Sequence, residues 1–175
     1  MSNMFVMEAV NLFCGDDDPT QSKHLTIASL KLPDLAETFA AHGPGGGRVG
    51  IEVPVGIEAL SAPFKLNGFD AALMTQFGLG VRNAMNYTAY GAIKDKRTGR
   101  TIESKALMEG RLGSITGDAF ERGSLQGFDY EIKAITHYEL HFDGAEKFYF
   151  DFFTNAWRVD GVDQSGKLLE VPGVD

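Results

Sequence analysis

Four groups of residues in this chain could do chemistry, and their spacing decides what each is fit for. The segment GPGGGRVG at 43–50 has the composition of a phosphate cradle. Such loops hold phosphate by feeding into a helix N-terminus. Here Ile51, Val53 and Val55, with Pro54 among them, forbid that helix, so the segment reads as a flexible or tight-turning loop. His137 and His141, at i and i+4, would share a metal ion on a helix. In the alternating stretch they occupy, an extended backbone sets them about 13 Å apart, too far to chelate one ion. Cys14 is the only cysteine; no neighbouring base can be named for it, so it reads as an inert thiol, and no intrachain disulfide can form. The remaining carboxylates alternate with Lys and Arg, which suits a solvated face better than an acid/base pair. No catalytic constellation, cofactor site or metal site is expected.

The element that must position most of these groups is FDYEIKAITHYELHF, residues 128–142. Phe128, Tyr130, Ile132, Ala134, Tyr138, Leu140 and Phe142 fall on even positions, with Thr136 the one break. Asp129, Glu131, Lys133, His137, Glu139 and His141 fall on odd positions, with Ile135 the one intruder. A strand points successive side chains to opposite faces, so this alternation specifies one dry and one wet face. At ~3.3 Å per residue the run would span roughly 50 Å, beyond an ordinary strand. Such a strand either bends between two sheets or belongs to something larger than one subunit.

Around it the pattern is mostly β. Residues 4–13 read as extended or irregular, followed by a turn-rich acidic loop from Gly15 to Pro19. His24–Leu32 reads as a short strand. Asp34–Gly43 reads as one short helix, capped by Asp34 with Glu37 three residues on. Leu60, Ala62, Phe64 and Leu66 line one face of a strand, and a short helix follows. Asp70 is its N-cap, Phe69 is placed to staple onto Met74, and Gly78 suits the C′ position. Val81–Ile93 and Ile102–Ile115 are two further strands. Asp143-Gly144 is a strong hairpin signal into Lys147–Phe153. A strict two-residue loop would set Leu140 opposite Lys147, and a one-residue bulge would set it opposite Phe148; the residues leave both open. The fold class is mainly β: two packed antiparallel sheets or an open barrel, with one short flanking helix (about 70–77) and a long projecting loop (about 33–56), in a single domain over 1–175.

The formal charge of −8 argues against a sequence-independent grip on nucleic acid. It is concentrated at the ends, −4 over residues 1–40 and −3 over 160–175, which reads as solubility. No basic leader precedes the first apolar residues and no apolar run approaches ~18 residues, so neither signal peptide nor membrane span is expected. The chain reads as soluble and made in a cytoplasm, and Asn86-Tyr87-Thr88 as a chance match to a glycosylation acceptor.

Several motifs form an ordered series: NLF (11–13), LKLPDL (30–35), V-x-I-E-V after the Gly-rich loop, and FKLNGFDAALMTQFG (64–78). Y-x-A-Y-G-A (87–92), E-G-R (109–111) and YEIKAITHYELHFDGAEKFYFDFFTNAWRVDGVD (130–163) continue it. In order and spacing this resembles the major tail tube protein of contractile-tailed bacteriophages, over nearly the whole chain. The resemblance implies a structural protein without enzymatic activity or cofactor. It implies hexameric rings stacking into the inner tube of a contractile tail, with strands of six subunits joined into one barrel and DNA passing through the lumen on ejection. Its partners would be further copies of itself, the tail sheath, tape measure and baseplate proteins, with DNA only in transit and no membrane. The protein would reside in the virion after assembly in the host cytoplasm. Leu35, Phe39, Arg48 and Val49 are then expected at ring-stacking or subunit contacts. Asp129, Glu131, Lys133, His137 and Glu139 are expected to face the lumen. That lumen should be of mixed sign, since the polar faces carry Lys65, Arg82, Lys105, Arg111 and Lys133 against Glu103, Glu109, Asp129, Glu131 and Glu139. A phage-tail-like bacteriocin, a secretion-system tube, a tail terminator of the same fold, and a small β-barrel enzyme or carrier are the alternatives.

Overall fold

The computed structural model describes residues 3–15, 18–78 and 84–166. The expected long strand is present as β8 (Gly127–Phe142), and it lies at the centre of the molecule. Along one side it pairs antiparallel with β7 (Thr101–Gly117), which continues to β6 (Met85–Asp95) and β1 (Phe5–Cys14). Along the other side β8 changes partner halfway. Its first part pairs with β5 (Ala62–Asn67), which carries β2 (Ile27–Leu30). Its second part pairs with β9 (Ala145–Asp151), followed by β10 (Ala156–Val159) and β11 (Val162–Asp163). The fold is mainly β and antiparallel, one large sheet and one small one, not closed into a barrel.

The change of partner coincides with the flaw in the sequence alternation. Ala134 adopts a left-handed φ of 49° and is exposed, while Ile135 turns inward and is 8% exposed. Residues 134–136 bulge opposite Gly110 on β7, between the pairs Arg111–Lys133 and Glu109–His137. A Cβ at Gly110 would meet the carbonyl oxygen of Lys133 at 2.9 Å and Ile135 Cγ1 at 3.2 Å, so the bulge closes only over a residue without a side chain. The intruder and the break in the pattern are thus one device: two extra residues that restore the original parity beyond it. The dry face then holds as expected. Tyr130, Ile132, Tyr138 and Leu140 are buried with Ala62, Phe64 and Leu66 of β5, Tyr87 and Ala89 of β6, and Ala106, Met108 and Leu112 of β7.

The helix over about 70–77 is a single turn, α1 (Ala71–Met74), extended by a turn at 75–76. Asp70 caps it, accepting from the Leu73 amide at 2.9 Å. Phe69, expected to staple onto Met74, is 83% exposed and instead packs edge-on against Phe128, with ring centroids 4.9 Å apart. The hairpin at Asp143-Gly144 combines both readings. Its two-residue loop has positive φ at each residue, and a bulge follows that sets Leu140 opposite Phe148.

The helix expected over Asp34–Gly43 is not there. Glu37–His42 is a strand, β3, paired antiparallel with β4 (Ile51–Ile57) into a separate two-stranded sheet. An isolated ten-residue helix has too little to hold it in water. The β-branched run Ile51, Val53, Val55 offers a partner strand instead, and the Gly-rich segment supplies the turn. The expected projecting loop is thus a hairpin. Val81 and Arg82, like Asp16, Asp17 and the C-terminal residues 167–175, lie outside the described residues.

Candidate assembly surfaces

Cross-strand pairs place side chains on a common face, so the ladder fixes what the wet face presents. On β8 and β9 it carries a chain of hydrogen bonds: Asp151 to His137 Nδ1 at 3.1 Å, His137 Nε2 to Glu139 at 2.8 Å, and Glu139 to His141 Nε2 at 2.9 Å. The two histidines therefore address opposite oxygens of one carboxylate rather than a metal. Among the described residues no group of three His, Cys, Asp or Glu could hold an ion. Burial works against the Glu139 charge, but the bonds from His141 and His137 outweigh it and hold its carboxyl below the usual range. Beside this chain the Arg158 guanidinium lies 3.5 Å over the Tyr149 ring and donates two bonds to Glu146, at 3.0 and 2.8 Å. Tyr149 in turn meets the His137 ring edge-on. Cross-strand stacking of this kind leaves no periodic signal, and the sequence reading missed Glu146, Tyr149 and Arg158 as a unit.

On the first half of β8 the same face carries Asp129, Glu131 and Lys133. Glu131 and Lys133 form an ion pair at 3.3 Å, and Lys65 on β5 meets Asp118 at 2.8 Å and Asp129 at 3.5 Å. Lys105 on β7 lies 5.3 Å from the Tyr90 ring centroid. The five residues expected on one face thus do share it across the bulge, and the cations Lys65, Lys133 and Arg158 sit against carboxylates.

The second surface is apolar. Leu35 precedes β3, Phe39 lies mid-hairpin opposite Pro54, and Arg48 and Val49 occupy the tip. They do not form one cluster: the hairpin spreads them from root to tip. Phe39 is 53% exposed, Val49 76%, Ile51 59% and Val55 64%. A two-stranded hairpin is marginal alone in water, and the apolar side chains of this one are left uncovered by the other described residues.

Cys14, the last residue of β1, is wholly buried, and burial pushes its thiol up to about 12, so it is no nucleophile at neutral pH. Near it, Lys23 reaches Asp70 at 2.7 Å in a mostly buried ion pair that also anchors the helix cap. The sequence reading did not anticipate this pair, whose members lie 47 residues apart with no motif linking them.

Comparison with known proteins gives one family and one fold. Residues 9–168 match the family model described as phage tail tube protein FII. Among curated proteins none matches. The chain is similar in structure to the sheath–tube complex of an extracellular contractile injection system (PVC) in its extended state. That likeness has TM-score 0.50 and 11% identity, covering 73% of this chain and 86% of the other. It is also similar to the tube-terminating cap of the anti-feeding prophage, with TM-score 0.53 and 11% identity, covering 78% and 93%.

Proposed function

This chain belongs to the phage tail tube protein FII family, and we propose that it forms hexameric rings that stack into the hollow inner tube of a contractile tail. It is a structural component of a tail particle and not an enzyme. The observation that carries the ring is the edge strand β1. It pairs with β6 along one side, while among the described residues the hydrogen bonds to its other side cluster at its C-terminal end: the Phe13–Ser22 bridge, the Asn11–Ser22 side-chain bonds, the Lys23 amide bond to the Leu12 carbonyl and the Gln76 side-chain bond to the Cys14 carbonyl. A ten-residue edge with Phe5 and Met7 at least half exposed is a template for strand pairing. In the assembled ring that partner is a neighbouring subunit, and the edges that pair are β1 and the β11 or β2 side, since β6, β7 and β8 are interior.

In this reading Asp129, Glu131, Lys133, His137 and Glu139 line the channel. Cations held against carboxylates keep a mixed-sign wall from gripping phosphate as DNA passes, because screening over about 8 Å makes local pairing sufficient. Leu35, Phe39, Arg48 and Val49 lie at contacts between subunits or rings. Sheath, tape measure and baseplate proteins are the outer and terminal partners, met as the tail is built in the host cytoplasm. Electron microscopy of the purified protein is the test. Hollow six-fold rings stacked into tubes are expected, and deleting residues 43–48 should shorten or abolish them. Single unstacked rings would indicate a terminator instead, and a monomer persisting at high concentration would sink the tube.

A further inference from the structure

The change of partner along β8 opens a groove where β5 has ended and β9 has begun. Its volume is ≈ 590 Å³, and its walls are apolar: Ile57, Leu60, Ile135, Phe150, Phe152 and Trp157. Glu58 is the one charged residue among those lining it. We propose that this groove receives the tip of the β3–β4 hairpin from a second copy of the chain, with Val49 and Ile51 in the groove and Arg48 against Glu58. The inference rests on the tube reading and adds the receiving site.

Three observations support that occupant. The hairpin offers what an apolar groove can take up, exposed aliphatic side chains on a narrow two-stranded element, with Val49 and Ile51 more than half exposed. The charges are complementary: Arg48 is the only Lys or Arg between Lys31 and Lys65, and neither Arg48 nor Glu58 has an ion-pair partner among the described residues. Finally, the tip cannot serve its own groove. Gly56 and Ile57 at the hairpin's root already form one wall, and β4 is paired to β3 from Ile51 to Ile57. That paired length of seven residues holds the tip about 20 Å away. The tip must therefore dock in trans.

The chain carries its own reporter. Trp157, the only tryptophan, lines the groove, and the only cysteine is buried, so introduced thiols react alone. On assembly, Trp157 emission should shift to the blue and acrylamide quenching should fall at least about twofold, as expected for an indole taken out of water. The double variant Val49→Cys, Ala156→Cys should oxidise into a ladder of disulfide-linked multimers. Glu58→Arg should raise the critical concentration for assembly about tenfold, and adding Arg48→Glu should recover most of it. Tubes that form with unchanged Trp157 emission, or with disulfides only inside a monomer, would overturn the proposal while leaving the tube intact. So would a groove filled by the chain's own C-terminus, seen as Trp157 becoming quenchable in a monomer truncated after residue 166. Failure of the wild-type chain to form any ring in the microscope would remove the tube reading, and this one with it.

Discussion

Two tyrosines in the core should respond in opposite senses to loss of a single oxygen. Tyr130 is 1% exposed, and its hydroxyl has no hydrogen-bond partner among the described residues. Its ring is well placed, stacked on Phe64 with centroids 5.2 Å apart and planes 15° from parallel. Tyr87 is equally buried, but its hydroxyl donates to Gln76 Oε1 at 3.2 Å, and Gln76 in turn donates to the Cys14 carbonyl at 3.1 Å. An unsatisfied buried polar group costs about 1–3 kcal/mol, whereas a made hydrogen bond contributes about 1 kcal/mol. Tyr130→Phe keeps the stack and removes only the orphan, so it should stabilise by about 1 kcal/mol. Tyr87→Phe breaks a link between β6, the turn after α1 and β1, and should destabilise by about 1 kcal/mol. In a chain of this size each corresponds to roughly 2–4 °C in Tm. The assay is denaturant and thermal unfolding of unassembled protein at low concentration, with equal m values required. If Tyr130→Phe lost stability by as much as Tyr87→Phe, the accounting of buried hydroxyls would be wrong.

Other perturbations follow from the same geometry. Gly110→Ala forces a Cβ against the Lys133 carbonyl at 2.9 Å and should cost about 1–3 kcal/mol, read by chemical denaturation; a neutral result would mean that the bulge yields freely. Cys14 should resist iodoacetamide at pH 8 in the native protein and react only on unfolding, as followed by mass spectrometry. The Glu139 and Asp151 carboxyls are both held below their ordinary values of 4.5 and 3.8. Groups depressed by folding contribute stability above the unfolded pKa and lose it as pH falls through the folded one. Stability should therefore decline below about pH 4.5, and Glu139→Gln should flatten the first part of that decline in a pH series of melts.

The fold was legible wherever a single residue's periodicity decided its place. The dry face of β8, the inward residues of β5, the Asp70 cap and the Asp143-Gly144 turn could all be read from spacing alone. Even the bulge was visible, as Ile135 and Thr136 out of step, although its meaning required Gly110 on another strand. What failed was the segment 34–43, where a local cap signal competed with a partner strand about ten residues further on. Pairing outweighs a weak helix preference, and pairing is not a local property. The wet face was legible as a face, but not as a circuit. Nothing near His137 in sequence announces Asp151, and nothing near Tyr149 announces that Arg158 will lie upon its ring.

The position of β8 also has a mechanical side. Because it is laddered to β7 along nearly its whole length, and to β5 and then β9 on its other flank, a pull along its axis cannot unzip it bond by bond. The load is shared in shear across both flanks at once, so the strand should yield only when many hydrogen bonds fail together. The β3–β4 hairpin, paired to no other strand among the described residues, would peel from its tip under far less force. In the stacked tube proposed above, such subunits would give stiff walls and compliant joints, taking up bending between layers while each layer keeps its bore.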